Sequence, residues 1–322
     1  MQGIEIKKAG LLTSIQDLGR FGYQRDGLPV GGAMDPYAFQ IANLLVGNRP
    51  NEAALEITLT GPHLKFHGEH LVALCGGDFA PRLNGSLVPQ WQTLRIRDGD
   101  ELVIGAASCG CRAYLAVGGG LRVPQVLGSA STLMRAKIGG WQGRALVNGD
   151  IIPTNSMGKA VLPRGVRSRS LAHDWRPLYA GHARVRVMLG PQEDAFTEKG
   201  LNTFLRAKYT VTANSDRMGY RLQGPPVEHR DGADIISDAV PLGGVQVPPN
   251  GQPILLMADR QPTGGYTKIG TVISADIPKV AQLVPGQTIS FERTTLKEAQ
   301  HEWRRLKKRF SMWAKIIRSF ID

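Results

Sequence analysis

The chain has 322 residues, a formal net charge of +12 and three cysteines, Cys75, Cys109 and Cys111. That length suits two domains or one large one, and an odd cysteine count excludes a disulfide framework. Hydrophobic residues make up 42%, no stretch approaches the ~18 unbroken apolar residues of a membrane helix, and 39 Gly with 20 Pro argue against a helical bundle and for short strands joined by tight turns.

The first eight residues are already mixed polar and charged, so no signal peptide is expected and the chain reads as cytoplasmic. The positive charge is uneven. From Thr295 onward eight Lys or Arg face three acids, which is +5 of the +12. No nucleic-acid motif accompanies the charge, so it reads as solvated charge or anion attraction.

In chain order, a helix is predicted first. Asp35 is a natural N-cap and Pro36 suits the first helical position. Ala38, Phe39, Ile41, Ala42 and Leu45 form an apolar stripe that Gly47 stops. Strands follow at residues 71–75, 101–104 and 112–117. Cys109 and Cys111 lack a second ligand pair nearby and are expected as two thiols on one strand face. Residues 152–180, with Pro153, Pro163, Pro177 and the basic run 164–169, read as a linker. A second set of strands is expected at 184–189, 254–257, 271–274 and 288–291.

The two halves echo each other weakly, as in Asp98-Gly99-Asp100 before one strand and Pro285-Gly286-Gln287 before another. This suggests two related β-barrel halves, at 1–165 and 180–294. A last helix is expected over 295–322. Thr295 and Glu298 form a capping-box pattern, and Leu296, Ala299, Trp303, Leu306, Phe310, Trp313, Ile317 and Phe320 form a heptad seam. The seam suits a helix packed along its own protein. A docking helix for a partner and a basic membrane-surface helix are the alternatives.

Three polar, glycine-rich segments could carry chemistry. In Ser14-Ile15-Gln16-Asp17-Leu18-Gly19-Arg20, a carboxylate and a guanidinium lie three residues apart. The plain reading is a structural pair fixing a turn. Residues 214–225 include Ser215, Arg217 and Arg221, and paired arginines can grip a carboxylate or phosphate. The densest cluster is Asp259-Arg260-Gln261-Pro262-Thr263-Gly264-Gly265-Tyr266-Thr267-Lys268, preceded by Asp238 and Gln246. Its backbone N–H groups could cradle an amide or phosphate, although no Walker or dinucleotide spacing is present. No histidines have metal spacing, and no metal is expected on this chain.

These residues resemble the KipA family, whose members are also called the C subunit of 5-oxoprolinase, or allophanate hydrolase subunit 2. The matching motifs are Ser-Ile-Gln-Asp-x-Gly-Arg, Ala42-Asn43-Leu44-Leu45-Val46-Gly47-Asn48, Ala54-Leu55-Glu56-Ile57-Thr58, Ser-x-Arg-Met-Gly-Tyr-Arg-Leu, Gln246-Val247-Pro248 and Asp-Arg-Gln-x-Thr-Gly-Gly-Tyr. They run from Ile4 to Phe291. The family is similar to half of the carboxyltransferase domain of urea carboxylase.

The resemblance implies a mainly β fold, with two cyclophilin-like β-barrel domains and a long C-terminal helix. It implies catalytic contacts at Asp17, Arg20, Asp259 and Gln261. Substrate or nucleotide contacts are implied at Ser215, Arg217, Asp238, Gln246, Thr263, Gly264, Gly265 and Tyr266. The first and last clusters are expected in different barrels. The implied partners are two further 5-oxoprolinase subunits, a KipI-like one (B) and one of a different fold (A). The complex would consume ATP as 5-oxoproline is hydrolysed to glutamate. The alternatives are a biotin-dependent carboxyltransferase half acting on urea or a similar amide, and a regulator that binds a KipI-like partner. No nucleic acid or membrane is implied. The sequence departs from the family at Asp216, where Asn is usual, and at Pro262, where Thr is usual. Pro262 removes a backbone donor from the loop.

Overall fold

In the computed structural model, residues 2–156 and 168–318 are described. The chain divides into two compact units. One comprises residues 1–20, 35–179 and 308–322, the other residues 21–34 and 180–307.

The first unit builds one core between two antiparallel sheets. Six strands run in the order Ile151–Pro153, Gly3–Lys8, His63–His67, Glu101–Val103, Arg82–Leu83 and Ser86–Leu87. Five more run in the order Leu12–Gln16, Ala54–Thr58, Cys109–Val117, His70–Asp78 and Thr93–Ile96. Alternate residues point inward from both sheets, so Ile4, Ile6, Leu64 and Phe66 share a buried cluster with Ile15, Leu55, Leu74 and Leu115.

Helix α1 (Pro36–Leu45) starts as the residues dictate. The Asp35 carboxylate accepts the N–H groups of Tyr37 and Ala38, each at 3.0 Å, and its other oxygen accepts the Tyr179 hydroxyl at 2.9 Å. Gly47, at φ 83°, turns the chain after the helix.

The second unit closes. Seven strands, His182–Leu189, Lys268–Val272, Gly244–Gln246, Ile254–Leu256, Gly219–Gln223, Lys208–Val211 and Thr288–Arg293, form a barrel. The last pairs in parallel with the first. Val185, Val187, Tyr209, Val245, Leu255, Ile269 and Phe291 fill its interior. Helix α2 (Glu198–Arg206), capped by Thr197, buries Phe204, and the short α3 (Ile277–Ala281) buries Val280. A separate two-stranded ribbon pairs Asp234–Ala239 with Thr263–Tyr266. The chain is therefore mainly β, with a closed barrel and a C-terminal helix, α4 (Leu296–Arg318).

Three expectations are revised. The described part of the proposed linker, 168–179, is packed into the first unit. Arg169 and Leu171 are buried there, and the Arg169 N–H donates to Thr93 Oγ1 at 2.8 Å. Pro163, Arg164 and Arg167 lie outside the described residues. Second, Cys109 is exposed and Cys111 buried. A register shift between Cys109 and Ala113 breaks the alternation that would have put both thiols on one face.

Third, the α4 seam holds at Ala299, Leu306, Phe310 and Trp313, all partly or fully buried, but not in its first turns. Leu296 and Trp303 are exposed, whereas Glu302 is only 17% exposed and pairs with Arg186 at 3.4 Å. A straight helix drifts off a seven-residue repeat, and here the inner place next to Trp303 falls to Glu302. The capping box is present: the Thr295 N–H donates to Glu298 Oε2 at 2.9 Å, and the Glu298 N–H to Thr295 Oγ1 at 3.3 Å. The Ile317 side chain and Phe320 lie outside the described residues.

Candidate functional site

Segment 14–20 lies in the first unit at the end of strand Leu12–Gln16. Asp17 is 2% exposed and accepts four hydrogen bonds. They come from the Gly19 N–H (2.8 Å), the hydroxyls of Ser129 (2.7 Å) and Ser131 (2.6 Å), and the Ala130 N–H (2.7 Å). Arg20, fully buried, donates from Nε to the Val126 carbonyl and from Nη2 to the Ser131 carbonyl, both at 3.0 Å. Both side chains thus bind the loop around residues 126–132, and that loop was invisible as a partner in the sequence. Gly139 stands where a Cβ would come 2.9 Å from Arg20 Nη2 and 2.0 Å from the Ser131 carbonyl. The arrangement ties the 126–132 loop to the end of strand Leu12–Gln16.

The remaining site residues all belong to the second unit. Arg217 and Asp259 are brought together, buried, in a two-point pair: Nε to Oδ2 at 2.8 Å and Nη2 to Oδ1 at 2.9 Å. Arg217 Nη2 also donates to the Gly32 carbonyl at 2.7 Å. The Gly31 N–H donates to the Ala258 carbonyl at 3.1 Å, and Gly31 (φ 68°) leaves space beside Asp259. The glycine loop that follows segment 14–20 is therefore held within the second unit by a buried pair in the preferred forked geometry.

Beyond that clamp the loop 259–266 meets Gln246. Gln246 is 2% exposed; its Nε2 donates to the Tyr266 carbonyl at 3.4 Å and its Oε1 accepts from Gln261 Nε2 at 3.5 Å. Both contacts are at the outer limit of a hydrogen bond and are weak. The two carboxamides, each with a donor and an acceptor, could exchange them for the N–H and C=O of an amide. Gly264 makes the approach possible, since a Cβ there would lie 2.5 Å from Gln246 Nε2. Pro262 stands just before strand Thr263–Tyr266, and its carbonyl accepts the Val240 N–H at 2.9 Å. A missing N–H is tolerated at a strand head. Thr263 and Tyr266 are exposed, and Gly264 and Gly265 half-buried.

Asp238, on the ribbon, meets Lys268 at 3.0 Å. The Lys268 bond, with help from the Ala239 N–H, holds the Asp238 carboxyl below the usual carboxylate range. Gln192 closes the group: its Oε1 accepts the Lys268 N–H at 3.1 Å and its Nε2 lies 3.5 Å from Asp238 Oδ2. Ser215 stands apart from this group, with its hydroxyl bound to the backbone of Arg221. Asp216, the departure from the family pattern, caps its own turn by accepting the N–H groups of Met218 and Gly219.

Sequence reasoning left Lys268, Gln192 and Arg260 off the site. Lys268 is 1% exposed, and a lysine at a strand position that the barrel buries was the available signal. Gln192 lies more than forty residues from its partners, with no local pattern to mark it.

The carboxyltransferase domain, subdomain A and B, matches residues 26–293 of the chain. The chain is 40% identical to the 5-oxoprolinase C subunit of Escherichia coli over 92% of its own length and 93% of that protein's. It is 37% identical to the 5-oxoprolinase C subunit of Haemophilus influenzae over 99% of both. It is 36% identical to urea amidolyase of Saccharomyces cerevisiae, where it covers 17% of that longer chain. Among solved structures, Kluyveromyces lactis urea amidolyase superposes with a TM-score of 0.87 and 33% identity, over 97% of this chain and 20% of that one. No helix among the described residues is long and apolar enough to cross a membrane. The fold, the motif order and these likenesses agree, and the chain belongs to the carboxyltransferase domain family, subdomains A and B.

Proposed function

We propose that this chain is the C subunit of an ATP-dependent 5-oxoprolinase, working with its KipI-like B subunit, together with its A subunit, to convert 5-oxoproline to glutamate. The observation that carries this reading is the end-to-end match to two proteins named as 5-oxoprolinase C subunits, at 93% and 99% of their lengths. Urea amidolyase is matched over only 17% of its length.

A lactam carbonyl is a poor electrophile. Transfer of the γ-phosphoryl group of ATP to its oxygen makes the carbon attackable by water. Cleavage of the C–N bond then leaves an acyl phosphate, which a second water hydrolyses to glutamate and phosphate. In this reading Gln246 and Gln261 hold the lactam amide, Thr263 to Tyr266 border it, and Asp238 with Lys268 supplies a fixed charge pair. Arg217–Asp259 keeps the loop in place, and Asp17 and Arg20 do the same for the first unit. The chain is inactive alone.

The second reading, half of a biotin-dependent carboxyltransferase acting on urea or a similar amide, is favoured by the 0.87 TM-score against urea amidolyase. An amide-binding pair of glutamines serves either substrate. The test is reconstitution by omission. Glutamate release from 5-oxoproline and ATP is measured with all three subunits and with this chain left out. Release is expected only from the full set, and undiminished release without this chain rejects the proposal.

A further inference from the structure

Arg260 is the second residue of the site loop 259–266, and among the described residues its charge has no acidic counterpart. It is 7% exposed. Its Nε donates to the Val240 carbonyl at 3.0 Å and its Nη1 to the Met257 carbonyl at 3.3 Å. Among the described residues no carboxylate pairs with it and no acceptor takes its Nη2. Burial without a compensating anion pushes its pKa down to about 10. Other buried or partly buried cations of the second unit differ. Arg217 has Asp259, Arg186 has Asp276, and Lys268 has Asp238. A buried, always-charged guanidinium satisfied only by carbonyls is costly to hold, and such groups are ordinarily paired.

The position of this cation adds a second, independent observation. Val240, whose carbonyl Arg260 holds, donates its N–H to the Pro262 carbonyl at 2.9 Å. Its side chain lies 3.2 Å from where a Gly264 Cβ would stand, and that same Cβ would lie 2.5 Å from Gln246 Nε2. Arg260 thus adjoins the two loosely held carboxamides through a single residue.

We infer that Arg260 is the anchor for a carboxylate on the substrate, and that it selects carboxylate-bearing amides over neutral ones such as urea. This rests on the reading of the site as one that takes a lactam. A planar guanidinium binds a carboxylate in charge-assisted bonds that a neutral amide cannot replace. Once the ligand is seated, the buried charge acquires the counter-ion that the protein does not supply.

The experiment is a calorimetric titration of the assembled complex with 5-oxoproline and with 2-pyrrolidinone, the same ring without the carboxylate. The native complex is expected to bind 5-oxoproline at least about tenfold more tightly. Arg260→Gln should bring the two affinities to within about threefold by weakening 5-oxoproline alone, whereas Arg260→Lys, which keeps the charge, should retain part of the preference. A purely structural role would weaken both ligands together. An unchanged preference in Arg260→Gln overturns the inference. If Arg260→Gln does not fold, acetate is titrated against the native complex: it must compete with 5-oxoproline, and failure to compete overturns the inference equally. The outcomes separate the two ideas. A complex that hydrolyses 5-oxoproline with its preference indifferent to Arg260 sinks the anchor and keeps the function. A complex that does not hydrolyse it, yet binds it through Arg260, keeps the anchor and sinks the function.

Discussion

Gly264 leaves no room for a side chain. An added methyl would sit 2.5 Å from Gln246 Nε2, and Gln246 is itself held only by contacts of 3.4 and 3.5 Å. The amide, not the backbone, would give way. Gly264→Ala is therefore expected to lower glutamate formation by the complex about tenfold or more while leaving the melting temperature nearly unchanged, since its φ needs no glycine. Activity at the native level would show that Gln246 does not contact substrate. At this scale the sequence was informative about residue type and poor about partners. The cluster 259–268 stood out by density alone. That Asp259 would be used by Arg217, forty-two residues earlier, and that Arg260 would be left without an acid, could not be read from spacing.

Helix α1 was legible because its signals are local: Asp35 caps, Pro36 starts, Gly47 ends it. The Asp35 carboxylate also accepts the Tyr179 hydroxyl, and the Asp35 N–H donates to the Tyr114 hydroxyl at 2.7 Å, so the cap is tied into the first unit. Asp35→Ala is expected to destabilise that unit by about 2 kcal/mol, and Asp35→Asn by less, because the amide oxygen still accepts. Urea denaturation followed by tryptophan fluorescence reads the difference; equal losses for both variants would contradict it. Helix α4 shows the limit of local signals. Its capping box and the seam positions Ala299, Leu306, Phe310 and Trp313 were readable, whereas the inward place of Glu302 goes with its pairing to Arg186, more than a hundred residues away. The ribbon of Asp234–Ala239 with Thr263–Tyr266 was likewise not foreseen, since its first strand is exposed along nearly its whole length, and helix α2 was missed although its Thr197 cap and its apolar face of Leu201, Phe204 and Leu205 were there to read.

For the molecule as a whole, the strand-rich character was legible from glycine, proline and alternation. The turn glycines Gly99 and Gly286, both at positive φ before a strand, are two of the places where the weak echo between halves has a physical counterpart. A barrel was expected in the second half, but its seven-strand order was not legible, because it depends on the parallel pairing of the first strand with the last. Asp276 is expected to set part of the acid limit of stability. Burial raises its carboxyl, but bonds from Arg186 and Lys279 outweigh burial and leave it below the ordinary value. Its contribution is therefore full above the unfolded pKa, about 3.9, and is lost as pH falls through the lower folded value. Arg186→Gln should be less stable than the native chain near neutral pH, with the gap closing below about pH 4. A gap that stays constant between about pH 3 and 7 would show that the pair does not govern acid unfolding.

The amide that the assembled complex processes decides between the two functional readings. The three-subunit complex is given ATP with 5-oxoproline, and separately ATP with urea and bicarbonate, each with and without avidin to sequester biotin. The expected result is glutamate and ADP from 5-oxoproline, indifferent to bicarbonate and avidin, and no urea-dependent ADP. Urea-dependent ADP formation that needs bicarbonate and is stopped by avidin, with no glutamate from 5-oxoproline, would contradict it.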